Sequence, residues 1–270
     1  MRSLFLMLIG LLAAPLVHAQ TTAFPASETP GSGLEFFSRF DSAISVERFL
    51  DEEDERFVWD GNIGVDVDII DYGFGRTAVV ANYEVVMGRE FRPFDTNQGN
   101  YILEASTSAR TGAFEFAVVF HHVSRHLSDR FKRGSVDWNM LGGRIISRDL
   151  LLGRTTLYGR ADIRGALRKG FVDYRWEIDT EVVSRVPLRP LLAAFTRGSV
   201  RVLGVTGDAN RGTQHGYRAE GGLSFEGRGP TVDLFIVAER RIDPYPLEFS
   251  TANWLTTGFR ISGIGQSRVP

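Results

Sequence analysis

Three of the chain's five histidines stand within ten residues, Phe120-His121-His122-Val123-Ser124-Arg125-His126-Leu127-Ser128-Asp129. On an extended backbone, side chains two residues apart share a face, so His122 and Ser124 become neighbours while His121 turns away. An imidazole within reach of a hydroxyl can take its proton and make the oxygen a nucleophile. Such an imidazole needs a polar partner on its other nitrogen to fix its tautomer and orientation. The following segment, Ser135-Val136-Asp137-Trp138-Asn139, offers Asp137 and Asn139 for that role. Two plainer readings stand beside this one. His122, His126 and Asp129 are metal-ligating types, although two histidines and a carboxylate in a loop are common by chance. Histidine and serine near lipid headgroups also often do no more than bond to water or phosphate.

Composition narrows the field. The 270 residues contain no cysteine, which excludes thiolate catalysis and cysteine-ligated metal. With 31 Lys+Arg against 33 Asp+Glu there is no basic excess of the kind a nucleic-acid partner calls for. The start of the chain has a charged Arg2, an apolar run from Leu4 to Val17 and a small-residue exit at Ala19. That is the form of a secretory signal peptide, and the run is short of the ~18–20 residues of a spanning helix. We therefore expect a signal peptide over 1–19, a flexible Thr/Ser/Pro/Gly-rich leader over 20–33, and one β-domain over 34–270. The charge run Asp51 to Arg56 reads as a solvated loop.

From residue 61 onward the hydrophobic period is two. In the stretch 171–182, Val172, Tyr174, Trp176, Ile178, Thr180 and Val182 alternate with Asp173, Arg175, Glu177, Asp179 and Glu181. Strands of ten or more residues, apolar on one face and charged on the other, suit a membrane barrel better than a soluble sandwich, whose strands are usually shorter. The pattern predicts strands near 61–70, 76–88, 100–110, 113–125, 135–147, 153–166, 170–183, 198–206, 215–226, 230–241 and 252–264. Connections alternate between short and long, as periplasmic turns and outer loops do. Phase then requires one further strand within Leu34 to Leu50. The fold expected is all-β, a closed antiparallel transmembrane β-barrel of about twelve strands in a bacterial outer membrane. Ser184–Arg197, with two prolines, reads as a long connection. Tyr101, Tyr174 and Tyr217 are expected in an outer aromatic girdle, with Phe114 and Phe225 in an inner one. Arg160, Arg164, Arg175, Asp173, Glu177, Asp179 and Glu181 should line the lumen as a network of mixed sign, which argues against a selective porin.

On strand 113–125 the apolar face is Phe114, Phe116, Val118 and Phe120, so His122 and Ser124 continue onto the lipid side. Ten residues at ~3.3 Å, tilted, put Ser124 roughly 23–27 Å above Phe114, near the outer-leaflet interface. The His122-x-Ser124 pair in that position resembles the catalytic pair of outer-membrane phospholipase A, a twelve-stranded barrel, and is similar to that of lipid A deacylase. The resemblance implies acyl-ester hydrolysis, with Ser124 as nucleophile, His122 as base and Asn139 or Asp137 as orienter. It also implies membrane lipid and lipopolysaccharide as partners. The phospholipase uses calcium, for which the sequence offers no nameable ligand. Where that motif continues with Asn-Gly, this chain has Arg125-His126. A non-catalytic barrel, either a narrow channel or a structural or binding protein, is the competing expectation.

Overall fold

The computed structural model describes residues 33–50, 52–131, 134–147, 149–227 and 229–266. The expected signal peptide and all of the leader but its last residue lie outside the described residues, as do Asp51 and the last four residues.

Thirteen strands follow one another: β1 Glu35–Phe49, β2 Trp59–Asp71, β3 Arg76–Gly88, β4 Asp95–Thr111, β5 Phe114–Leu127, β6 Val136–Ser147, β7 Leu150–Leu152, β8 Thr155–Gly170, β9 Tyr174–Arg189, β10 Leu192–Val205, β11 Gln214–Glu226, β12 Thr231–Ile242 and β13 Thr251–Gln266. Each long strand pairs antiparallel with its neighbours, β1 pairs with β13, and β6 pairs directly with β8. Twelve strands thus close into a barrel. The three-residue β7 is a flap on the start of β8. Closure pairs each of the twelve long strands on both sides, which a wall in contact with hydrocarbon requires. The inferred first strand is β1.

One end carries tight turns and the other carries loops of unequal length. At the turn end, Gly112 adopts φ +55 in the tight β4–β5 connection, a conformation that suits a residue without Cβ. The apolar faces turn outward: Ile63, Val118, Ile163, Val182 and Ile236 are each more than half exposed. The opposite faces turn inward and carry the charges, so the barrel's interior is its polar side.

Three expectations need correction. Ser184–Arg197 is not a long connection: β9 runs to Arg189, turns at Pro190-Leu191, and β10 begins at Leu192. A register shift accommodates Pro187 near the strand end, where proline costs little. Tyr174 does not join the outer girdle. A second register shift between Gly204 and Val205 turns it into the lumen, where its hydroxyl donates to Asp243 at 2.7 Å. The same shift leaves Arg175 exposed instead of lining the lumen. Finally, residues 52–56 of the charge run are more than a solvated loop. Glu52 accepts from the Trp254 indole, and Arg56 bonds Asp54 and, at 2.6 Å, Glu248.

The lumen is filled by ion pairs. Glu104 accepts from Arg144 at 2.8 Å, Arg164 at 2.9 Å and His121 at 2.8 Å. Glu177 joins Arg164 and Arg201, each at 2.5 Å. Glu220 accepts at both oxygens from Nη2 of Arg260, at 2.8 and 2.9 Å, while Nη1 of Arg260 reaches Asp233 at 3.3 Å, and Arg76 bridges Asp68 and Glu115. Removing one partner from such a buried set strands the other charge, at a cost of about 3–5 kcal/mol. Towards the loop end the filling becomes apolar, with Phe49, Phe57, Val86 and Trp254 packed together and Phe49 edge-on to both Phe57 and Trp254. The β12–β13 loop closes that mouth. Arg125 donates to the carbonyls of Asp243 and Pro244 at 2.6 and 2.9 Å, and Gln98 donates to Pro244. A cavity of about 30 Å³ remains beneath, lined among others by Glu84, His121, Arg125 and Trp138. That is room for a water or two.

Candidate active site

Period-two alternation carries β5 from Phe114 to His126 with every second residue outside, so His122, Ser124 and His126 form one outward column at its loop end. The intervening side chains point inward and hold the column in place. His121 is bonded to Glu104, and Arg125 is tied to the mouth-closing loop. That loop is itself pinned by Arg211, which bridges Asp173 and Asp243. Burial works against the Arg211 charge, but hydrogen bonds and charge from the two carboxylates outweigh it and hold its pKa above the ordinary value.

The pairing of β5 with β6 sets His122 opposite Asn139 and Ser124 opposite Asp137. The His122 Nδ1 and Asn139 Oδ1 lie 2.6 Å apart. An amide oxygen only accepts, so Nδ1 is the donor in this contact, and in the neutral ring that leaves Nε2 as the acceptor. Of the two orienters the sequence offered, the structure brings Asn139 onto the imidazole. Asp137 stands two residues away along β6, opposite Ser124 on β5 and Gly170 on β8.

Ser124 lies on the expected face but does not bond to His122. Its Oγ is 2.7 Å from His126 Nε2. The hydroxyl therefore stands between two imidazoles on one strand face, with the His126 rotamer selected. Period two from Ser124 also reaches this second histidine, which the spacing of the sequence otherwise marks as a metal-ligating type. Tyr101 sits opposite Ser124 on β4 and packs edge-on to the His126 ring at 5.5 Å. Tyr83 leans against Tyr101, centroids 4.9 Å apart. Its hydroxyl fills the place of a Cβ on Gly99, 2.5 Å away, so glycine is needed there. Below this wall Leu103, Phe120 and Leu141 continue the face as an apolar slope, each at least 40% exposed.

The metal set does not assemble. Among the described residues no group of three or more His, Asp or Glu side chains could hold an ion, and Asp129 pairs with Arg92 at 3.2 Å. A calcium site built from such side chains therefore does not fit among the described residues.

No protein-family model matches the chain, and no curated protein matches it significantly. Solved structures do. The outer-membrane phospholipase A of Escherichia coli aligns with 10% identity and TM-score 0.50 over 85% of this chain and 94% of that one. The Salmonella typhi outer-membrane phospholipase dimer with bound calcium gives 10% identity and TM-score 0.50 over 88% and 94%. LpxR from Salmonella typhimurium gives 8% identity and TM-score 0.48 over 83% and 99%. At these identities the likeness is one of fold: the chain has the fold of the outer-membrane β-barrels.

Proposed function

We propose that this outer-membrane barrel hydrolyses acyl esters of membrane lipid on its outer surface, with Ser124 as nucleophile, His122 as general base and Asn139 as the residue that orients it. The observation that carries the reading is the 2.6 Å contact between His122 Nδ1 and Asn139 Oδ1 on the lipid-facing side of the wall. A structural polar patch has no need for a fixed tautomer, whereas a general base does.

In the reaction a rotation about Ser124 χ1 swings Oγ from His126 to His122. The hydroxyl proton passes to His122 Nε2 while Oγ bonds to the ester carbonyl carbon. Collapse of the tetrahedral adduct breaks the carbon–oxygen bond, and the imidazolium returns the proton to the leaving alcohol. Water, deprotonated by the same imidazole, then releases the fatty acid and restores Ser124. The Tyr83–Tyr101 wall and the slope of Leu103, Phe120 and Leu141 receive the acyl chain.

Membrane phospholipid and lipopolysaccharide are the substrates to try. Fatty-acid release from each, in mixed micelles, is expected from the native chain and lost in Ser124→Ala. Release that survives in the variant overturns the reading. The second reading is a non-catalytic barrel, favoured by one observation: the Ser124 hydroxyl rests on His126, as a headgroup-level polar patch would have it. A channel is disfavoured by the ion-paired lumen and the closed mouth.

A further inference from the structure

The row that begins at His122 does not stop at Asn139. Across β6 the next strand is β8, and there Arg168 stands opposite Asn139. His122, Asn139 and Arg168 thus share one row on three adjacent strands, with Arg168 about 10 Å from His122 by two strand spacings. Arg168 is outward only because of an irregularity. On β8 the outward positions run Ala161, Ile163, Gly165, and strict alternation would next place Leu167 outside and Arg168 in the lumen. The register shifts instead between Asn139 and Met140: Met140 faces Ala166 and Asn139 faces Arg168, leaving Leu167 as the extra residue. A bulge at that point re-aims the arginine onto the face that carries the serine and histidine, a use to which bulges are often put.

Arg168 is exposed, two residues from the end of β8, and among the described residues it forms no ion pair. Two other outward arginines at the loop end are engaged. Arg48 lies over the Trp59 ring at 5.1 Å, and Arg240 donates to the His215 carbonyl at 3.2 Å. A guanidinium on a lipid-facing wall is expensive unless it meets an anion, and at a membrane surface the anion to hand is phosphate. The neighbouring carboxylate, Asp137, is opposite Gly170, two residues further along the strand pair towards the loop end.

We infer that Arg168 is a substrate-specificity residue: its guanidinium grips a phosphate group of the lipid whose ester lies at Ser124, so the site prefers phosphate-bearing lipids to neutral esters. The catalytic part of this inference rests on the hydrolase reading, whereas the phosphate grip itself does not. A planar fork matches two phosphate oxygens at once, which a lysine ammonium cannot do.

Two measurements test it. In the first, kcat/KM is compared on phosphatidylethanolamine, on lipopolysaccharide and on a neutral monoacylglycerol, all in the same nonionic micelles. Arg168→Gln is expected to lower the ratio of the preferred phosphate lipid to the neutral ester roughly five- to tenfold, mainly through KM, with Arg168→Lys between the two. Whichever phosphate lipid loses the advantage identifies the source of the phosphate. An unchanged ratio for both overturns the inference. In the second, the Ser124→Ala chain, with and without Arg168→Gln, is titrated with hexadecylphosphocholine and with dodecyl maltoside. Weaker binding of the phosphate amphiphile alone supports the grip even if the native chain cleaves no ester, in which case the hydrolase reading falls by itself. Equal weakening for both amphiphiles, or for neither, overturns the grip.

Discussion

Asn139→Ala is the most informative single change. Its side chain makes one contact that matters, the 2.6 Å bond from His122 Nδ1. With a neutral imidazole a bond of this kind is worth about 1 kcal/mol, and to a charged group about 1.5–3 kcal/mol. As the Ser124 proton moves to Nε2 the ring becomes an imidazolium, so the bond strengthens by roughly 0.5–2 kcal/mol in the transition state. At about 1.4 kcal/mol per factor of ten, the expected loss in kcat is roughly two- to thirtyfold, with KM little changed. Loss of the tautomer lock adds to this. Asn139→Asp keeps an accepting oxygen and should retain far more activity than Asn139→Ala. The assay is the initial rate of fatty-acid release at saturating lipid mole fraction, with folding checked by heat-modifiable migration in dodecyl sulfate gels. If Asn139→Ala turns over like the native chain while His126→Ala does not, the base is His126 and the argument from the Asn139 contact is wrong.

Two further outcomes concern the scaffold. Glu177 is fully buried between Arg164 and Arg201, so Glu177→Gln should cost about 3 kcal/mol or more of stability, read as a lower urea midpoint in micelles. Adding Arg201→Gln should recover part of that loss. Gly142→Val should prevent closure between β6 and β8, because a Cβ there would stand 1.9 Å from the Ile163 carbonyl oxygen, and the heat-modifiable gel form should be missing.

Much of this architecture was readable from alternation alone, because a wall with lipid outside and charges inside admits only period two. Leu34 to Leu50 could be inferred as a strand from phase, and β1 lies there. Where reading failed, it failed at irregularities. The shift beside Tyr174 and Arg175 inverted an otherwise clean alternation, and the strand expected to end at 166 runs on through an irregularity at Leu167 to Gly170. Bulges leave no compositional mark, since they depend on how two strands meet and not on what either contains. At the site, the face of His122 and Ser124 followed from Phe114 onward. The choice between Asn139 and Asp137 depended on cross-strand register, which turn geometry sets. Whether Ser124 leans to His122 or His126 is a rotamer question that no spacing answers.

The alternation has one more consequence, which concerns the chain before it closes. Along β9, for example, no two apolar residues adjoin between Trp176 and Glu181. A stretch written this way offers no long apolar block that an inner-membrane insertion machinery would retain as a helix. Its arginines and carboxylates stay hydrated until neighbouring strands zip up. The side chains that cork the finished cylinder therefore double as its solubilising coat during transit through water.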